Sequence, residues 1–338
     1  MNCSIAAFSK GKQMAEIKKI GVFTSGGDAP GMNAAIRAVV RSALYYNLEV
    51  AGIRRGYEGM ISGDIFNMDR KSVANIIQRG GTILKTARSD QFRTPEGRKK
   101  AYGQLKANGI DALVAIGGDG TFTGARVFGH EYDMPILGLP GTIDNDLAGT
   151  DFTIGYDTAI NTVVDAVDKI RDTAESHDRL FIVEVMGRDC GLIALRTGIA
   201  AGAEAILIPE SKTDLNALYE RLEKGRKDKS SKIVMVAESG ESGNAFEIGR
   251  QIKERYPQYD TRISILGHIQ RGGRPSCMDR VLASRIGVAA VEALIAGQRN
   301  EMVGIVSNEI AFTPFEHAIK HNIEINDNFL KILEILSL

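Results

Sequence analysis

Twice in the middle of this chain a short apolar run breaks off into small residues and carboxylates, and that pattern dictates the kind of sheet the chain must build. Ala112 to Ile116 leads into Gly117-Gly118-Asp119-Gly120-Thr121; after a helix-length interval, Ile136 to Leu139 leads into Pro140-Gly141-Thr142-Ile143-Asp144-Asn145-Asp146. Runs this short and uniformly apolar suit strands buried on both faces of a parallel sheet. Ligands of such sheets sit beyond the carboxyl ends of the strands, so Asp119, Asp144 and Asp146 are expected to converge there. Small residues let backbone amides approach phosphates, and carboxylates can hold a metal ion.

A third turn of the same kind lies earlier. The strand Lys19 to Thr24 runs into Ser25-Gly26-Gly27-Asp28-Ala29-Pro30-Gly31 and then a helix, Met32 to Tyr46, with Asp28 as its expected cap. Two strand-to-Gly-Gly-Asp turns suggest two walls of one phosphate site, although either alone reads equally well as a tight βα connection. A strand Glu49 to Ile53 follows, then an irregular stretch through Asp69, a helix near Ser72 to Gln78, and a glycine-rich basic segment, Arg79 to Ser89. In that segment Arg88 is a candidate phosphate cation or a solvated loop arginine. A helix Glu96 to Asn108 stops at Gly109. Beyond the carboxylate loop, a helix Thr158 to Glu175 sets Ile160, Val163, Val164, Val167, Ile170 and Ala174 on one face. Strands at 180–186, 205–208, 233–237 and 261–266 then alternate with helices at 191–201, 214–225 and 245–256, before a loop 267–275, a long helix to about Ala296 and a strand 302–307. This alternation implies an α/β chain with parallel sheets and helices on both faces.

At 338 residues the chain suits two such domains. Lysine plus arginine and aspartate plus glutamate both number 42, which gives no general attraction to nucleic acid or anionic membrane. Three scattered cysteines without a CxxC pair speak against a disulfide framework, and no apolar run is long enough to span a bilayer, so a cytoplasmic location is expected. Residues 1–16 are expected to be a disordered extension.

Phosphoryl transfer requires position and charge rather than covalent chemistry. Gly27, Gly118, Gly120 and Thr121 suit triphosphate binding, Asp119 suits Mg²⁺, and Asp144 or Asp146 could take a proton from an attacking hydroxyl, unless they merely cap turns. No Gly-x-x-x-x-Gly-Lys-Ser/Thr and no Gly-x-Gly-x-x-Gly occurs, which excludes the P-loop and disfavours a dinucleotide fold. Arg179, Arg188, Arg262, His268 and Arg271, next to or beyond predicted strand ends, could bind a phosphorylated, hydroxyl-rich acceptor.

Five blocks, at 24–37, 117–121, 140–146, 184–188 and 266–273, resemble in order and spacing the ATP-dependent 6-phosphofructokinases, from about Ile17 almost to the end. The resemblance implies two similar three-layer domains with mainly parallel sheets and the active site in the cleft between them, made of 17–154 plus 269–320 for ATP and 155–268 plus 321–338 for the sugar phosphate. It implies that Gly27, Arg88, Ser89 and Gly118 to Thr121 bind ATP, with Asp119 on Mg²⁺. Asp144 would be the base for the 1-hydroxyl of fructose 6-phosphate, assisted by Asp146, Thr142 and Arg188, with Thr142 and Ile143 lining the sugar. Met186, Gly187, Arg188, Glu238, His268, Ile269, Gln270 and Arg271 would hold the sugar phosphate, and Arg179 and Arg262 would reach it from a neighbouring subunit of a homotetramer. Glycine at 120 and 141, where pyrophosphate-using relatives carry aspartate and lysine, implies ATP as donor.

Arg37, Arg41, Arg70, Arg171, Gly202 and Glu204 match the pattern of the family's effector site for ADP and phosphoenolpyruvate. Lys227 and Lys229 stand in its less typical loop, and Asn75 replaces a usual aspartate. An NAD or lipid kinase would share the Gly-Gly-Asp-Gly turn but lacks the 140–146 and 266–273 blocks. A non-catalytic nucleotide-sensing subunit is disfavoured by the joint presence of Asp119, Asp144 and Arg179.

Overall fold

The computed structural model describes residues 17–177, 179–187, 190–210, 218–219, 222, 232–238, 245–319 and 327–336. The extension 1–16, Arg188, Lys227, Lys229 and most of the helix expected at 214–225 lie outside the described residues. The first half opens with β1 (Lys19–Thr24), α1 (Met32–Tyr45) and β2 (Glu49–Ile53), then α2 (Gly56–Ser62), β3 (Ile65–Met68), α3 (Pro95–Ala107), β4 (Ala112–Gly117), α4 (Asp119–Tyr132) and β5 (Ile136–Thr142). A two-residue β6 (Ile154–Gly155) leads into α5 (Tyr156–Glu175). The second half runs β7 (Arg179–Val185), α6 (Leu192–Ala200), β8 (Ala205–Leu207), β9 (Lys232–Ala237), α7 (Ala245–Arg255) and β10 (Asp260–Ile265). It closes with α8 (Cys277–Ile295), β11 (Glu301–Val306), β12 (Glu309–Pro314), α9 (Phe315–Ala318) and α10 (Asp327–Leu336).

Two sheets result. The larger has the order β12-β11-β5-β4-β1-β2-β3, with β6 paired to the end of β5; the smaller has the order β10-β7-β9-β8 and is parallel throughout. In the larger sheet only the edge pairs β2–β3 and β11–β12 are antiparallel. The α/β class therefore holds, but the sheets are unequal. Successive residues of β1 alternate between cores: Ile20 and Val22 face one that continues through α1, α5 and α8 into the smaller sheet, while Phe23 faces another under α2, α3 and α4. The chain leaves β1 for β2 on one side and β4 for β5 on the other. The crevice between β1 and β4 is thus a topological switch point, the place where such sheets bind ligands.

Three local expectations need correction. No helix forms at 72–78: the Asp69 carboxylate takes the amides of Lys71 and Ser72, at 3.0 and 2.8 Å, and this Asx turn leaves the segment as turns. Conversely, the stretch before Asp69 is not irregular, since α2 and β3 form there despite three glycines. Gly59 is tolerated inside α2 because the chain folds back on it; a Cβ there would lie 1.6 Å from the Arg54 carbonyl oxygen. Asp28 does not cap α1, whose N-cap is Gly31 with no side-chain bond. The strand β12, absent from the sequence reading, pairs with β11 through Ser307 and Asn308, both at positive φ, as a tight hairpin requires.

Candidate active site

The two glycine turns touch. Ser25 donates its amide to the Ile116 carbonyl at 3.0 Å, so the chain leaving β1 is tied to the end of β4. At Gly117 the approach is too close for any side chain: a Cβ would lie 2.5 Å from the Ser25 carbonyl oxygen and 2.3 Å from Thr121 Oγ1. The Thr121 hydroxyl is buried there without a hydrogen-bond partner among the described residues, close under Gly26. Asp119 begins α4, where the amide dipoles favour negative charge beside the helix start. Gly120 is exposed, and a Cβ on it would meet nothing within 4 Å, so the mouth of the turn is open.

The third loop packs against the second. Gly117 and Pro140 are paired in register, and a Cβ on Gly118 would stand 3.5 Å from the Thr142 Cβ. Thr142 Oγ1 accepts the Asp144 amide at 3.2 Å. Asp144 is only 8% exposed, and its Oδ1 has no hydrogen-bond partner among the described residues, an unusual condition for a buried carboxylate oxygen. Asp146 is buried as well, and Ile143 points fully into the core. Asn145, at positive φ, braces the loop by accepting the Thr153 amide at 2.7 Å and donating to the Asp151 carbonyl at 3.2 Å.

The segment after β3 closes one side. Asn33, on α1, donates to the carbonyls of Arg79 and Gly80, both at 3.1 Å, and accepts the Ile83 amide at 2.8 Å. Thr24 donates to the Lys85 carbonyl at 2.8 Å, and Thr86 bonds the Gly26 carbonyl. Arg88 is exposed and makes no hydrogen bond or ion pair among the described residues. Ser89 instead donates to Glu58 at 2.7 Å. Behind the second turn, Tyr57 gives its hydroxyl to the Thr121 carbonyl at 2.6 Å and stacks on Phe92. Burial raises the Tyr57 pKa far above the ordinary phenol range, so it stays a neutral donor.

From the smaller sheet, the ends of β7 and β9 bring Met186, Gly187 and Glu238 forward. Gly187 sits at φ +144 with the Cys190 carbonyl 2.2 Å from where a Cβ would be, so only glycine fits. Gln270 is completely buried; it accepts the Met186 amide at 3.2 Å and donates to the Gly267 carbonyl at 3.0 Å, tying the 267–271 turn to β7. His268 and Ile269 are exposed on that turn. Arg271 reaches across to the first wall and donates to the Asp28 carbonyl at 3.2 Å, its guanidinium lying over Gly27.

Arg179 and Arg262 are not brought to this cluster. Arg179 opens β7, some 20 Å of strand away from its Val185 end at about 3.3 Å per residue. Both arginines share the Asp260 carboxylate, Arg179 Nε at 2.7 Å and Arg262 at 3.1 Å. These bonds, Arg179's foremost, hold Asp260 below the usual carboxylate range. Arg171 caps the end of α6 by donating to the carbonyls of Ala201 and Gly202, and Glu204 accepts the Ile233 amide. Arg37, Arg41 and Arg70 lie on α1 and the turn after β3, and their side chains make no hydrogen bond or ion pair among the described residues.

Asn33, Tyr57, Asn145 and Asp279 escaped the sequence reading. Asparagine on the buried face of an apolar helix was a signal for the first, and Ser276 three residues before Asp279 was a capping signal for the last. Among the described residues no set of three His, Cys, Asp or Glu could hold a metal, and no helix is long and apolar enough to cross a membrane.

The chain matches the family described as Phosphofructokinase over residues 19–294. It is 58% identical over 326 residues to "ATP-dependent 6-phosphofructokinase 2" of Bacteroides thetaiotaomicron, covering 96% of this chain and 100% of that one. It is 56% identical to "ATP-dependent 6-phosphofructokinase 1" of Thermus thermophilus, covering 95% and 100%. Among solved structures, phosphofructokinase from Saccharomyces cerevisiae superposes with a TM-score of 0.82 at 37% identity, covering 95% of this chain and 46% of the yeast chain.

Proposed function

The chain belongs to the phosphofructokinase family, and from that premise we propose how its residues carry out the ATP-dependent phosphorylation of fructose 6-phosphate to fructose 1,6-bisphosphate. The observation that carries the proposal is the buried Oδ1 of Asp144, which has no partner among the described residues, one loop away from an open glycine turn. ATP lies along the crevice between β1 and β4, its phosphates against Gly27 and the Gly118 to Thr121 turn, with Arg88 and Ser89 on the flank. Asp144 accepts the proton of the sugar 1-hydroxyl as that oxygen attacks the terminal phosphorus, and ADP leaves with its bridging oxygen. Thr142 orients Asp144 through the amide bond, and Asp146 assists from the same loop.

Asp119 fits Mg²⁺ as a single carboxylate at an open mouth, since this ion usually keeps water and phosphate oxygens as its other ligands. When bound, the ion would neutralise charge on the transferring phosphate. Met186, Gly187, Arg188, Glu238, His268 and Arg271 receive the sugar phosphate, with Ile269 beside them. The complete burial of Gln270 favours holding the turn in place over touching the sugar. The separation of Arg179 and Arg262 from this cluster favours their serving a neighbouring subunit, and hence a homotetramer with shared sites. Arg37, Arg41, Arg70, Arg171, Gly202 and Glu204 are proposed for ADP or phosphoenolpyruvate, and a cytoplasmic location is proposed. A division into 17–154 plus 269–320 and 155–268 plus 321–338 is proposed, supported by the two separate sheets and by Phe329 of α10 under Arg196.

Donor choice follows from two glycines. A side chain at 120 would stand in the open mouth, while a Cβ at 141 would press on Ile116 at 3.1 Å and Met32 at 3.2 Å. In a coupled assay with fructose 6-phosphate, turnover is expected with ATP and to be absent with pyrophosphate. Turnover with pyrophosphate alone would refute the nucleotide assignment of the β1–β4 crevice.

A further inference from the structure

Asp279, in the first turn of α8, has been given no role so far, yet it is fully buried and close to both walls of the site. Its carboxylate accepts the amides of Gly155 and Thr158, each at 2.8 Å, and the Thr158 hydroxyl. The Thr158 hydroxyl oxygen in turn accepts the Ser276 amide at 2.9 Å, and Ser276 caps the Asp279 amide at 3.1 Å. No cation is among these partners. The charge is compensated by the start of α5, whose Gly155 and Thr158 amides converge on it. Burial raises the Asp279 pKa, and the bonds from Thr158 and Gly155 oppose that rise.

What this knot holds matters. Gly155 is paired with Thr142 in the short β5–β6 ladder, and Thr153 donates to the Thr142 carbonyl at 2.7 Å, so the Gly155 amide is two residues of register from Asp144. Gly31, which ends the first glycine turn, packs on the same spot: a Cβ there would lie 3.5 Å from the Asp279 Cβ and 2.6 Å from Ile154. Gly155 packs likewise on Ala29, with 2.7 Å between a Cβ there and the Ala29 Cβ. On its own chain, Asp279 follows the turn that carries His268 and Arg271.

We propose that Asp279 is a positioning residue, fixing the loop of the Asp144 base against the nucleotide turn and against the 267–276 loop. It touches no substrate. Loss of its carboxylate lets the base drift from the hydroxyl, and misplacement by about 1 Å can cost on the order of 100-fold in rate. The inference rests on the reading of Asp144 as base, and the test separates the two.

In the full-length enzyme, Asp279→Ala and Asp279→Asn are expected to lower kcat about 10- to 100-fold, with the half-saturating concentrations of ATP and fructose 6-phosphate little changed. In an Asp144→Asn background the same substitutions should cost far less, because the group they position is already gone. Thr158→Val, which removes one donor and leaves the carboxylate, should give a smaller drop of the same kind and keeps the test open if Asp279→Ala does not fold. Folded Asp279→Asn and Thr158→Val proteins with kcat intact and only a lowered melting temperature would overturn the inference, as would losses that multiply in full with Asp144→Asn. If Asp144→Asn alone left kcat unchanged, the base assignment would fall instead.

Discussion

Asp144→Asn lowers kcat by about 10² to 10⁴, the usual contribution of a general base, while the enzyme still folds and still binds both substrates. The amide has the shape of the carboxylate it replaces, so the loop from Thr142 to Asp146 keeps its packing, including the Asp144 amide bond to Thr142 Oγ1 at 3.2 Å. What is lost is chemical: a neutral amide cannot take the proton of the attacking hydroxyl. An Oδ1 without a partner among the described residues, in a site only 8% exposed, is costly for folding, and the cost makes sense if a substrate hydroxyl completes the hydrogen bonding. Steady-state kinetics on the purified variant, with ATP binding measured separately, check this. A kcat equal to the parent's removes Asp144 from the role, and a loss confined to ATP affinity moves it to the nucleotide side.

Gly117→Ala acts on the other wall. The added methyl meets the Ser25 carbonyl at 2.5 Å and Thr121 Oγ1 at 2.3 Å. Rotating the threonine moves its Oγ1 but not its Cβ, 2.9 Å from the methyl, and the backbone carbonyl is held because Ser25 is also bonded to Ile116. The two turns must separate. Overpacking of this kind typically costs about 1–3 kcal/mol, and a phosphate cradle made of two backbones loses its fit to both at once. The half-saturating ATP concentration is therefore expected to rise about tenfold or more, with fructose 6-phosphate saturation much less affected, and the melting temperature should fall by several degrees. Equal weakening toward both substrates would mean that Gly117 serves the fold as a whole and not the nucleotide wall.

How much of this was legible beforehand depended on the type of interaction. The strands β1, β4 and β5 and the glycine turns behind them were readable because burial on both faces leaves an unbroken apolar run, and the turn residues have few other uses. Stretches governed by long-range pairing were not. The stretch with glycines at 56, 59 and 63 was expected to be irregular, yet α2 forms there, with the Arg54 carbonyl in the space that a side chain at 59 would need. The helix expected at 72–78 lost to the Asp69 carboxylate, whose local hydrogen bonds outcompete a helical turn.

The site divides along the same line. Asp119, Asp144, Gly118 and Thr121 announced themselves by composition. Asn33 and Asp279 act by bonding backbone groups 46 to 124 residues away, and no local pattern encodes such partners. Arg179 and Arg262 were read as lying by strand ends, which is true of Arg179, but it opens β7 instead of closing it. The strand expected at 180–186 already put Arg179 ahead of its first residue; what that end of the strand faces depends on packing that no window of residues encodes.

The central claim is that the glycine turns of β1 and β4 present ATP to a hydroxyl held beside Asp144. A crystal structure of the full chain with Mg²⁺, a non-hydrolysable ATP analogue and fructose 6-phosphate tests it most directly. The sugar 1-hydroxyl is expected within about 2.6–3.2 Å of an Asp144 carboxylate oxygen and in line with the terminal phosphate resting on Gly118 to Thr121. A terminal phosphate lodged away from that turn, or a 1-hydroxyl facing some other group, would contradict it.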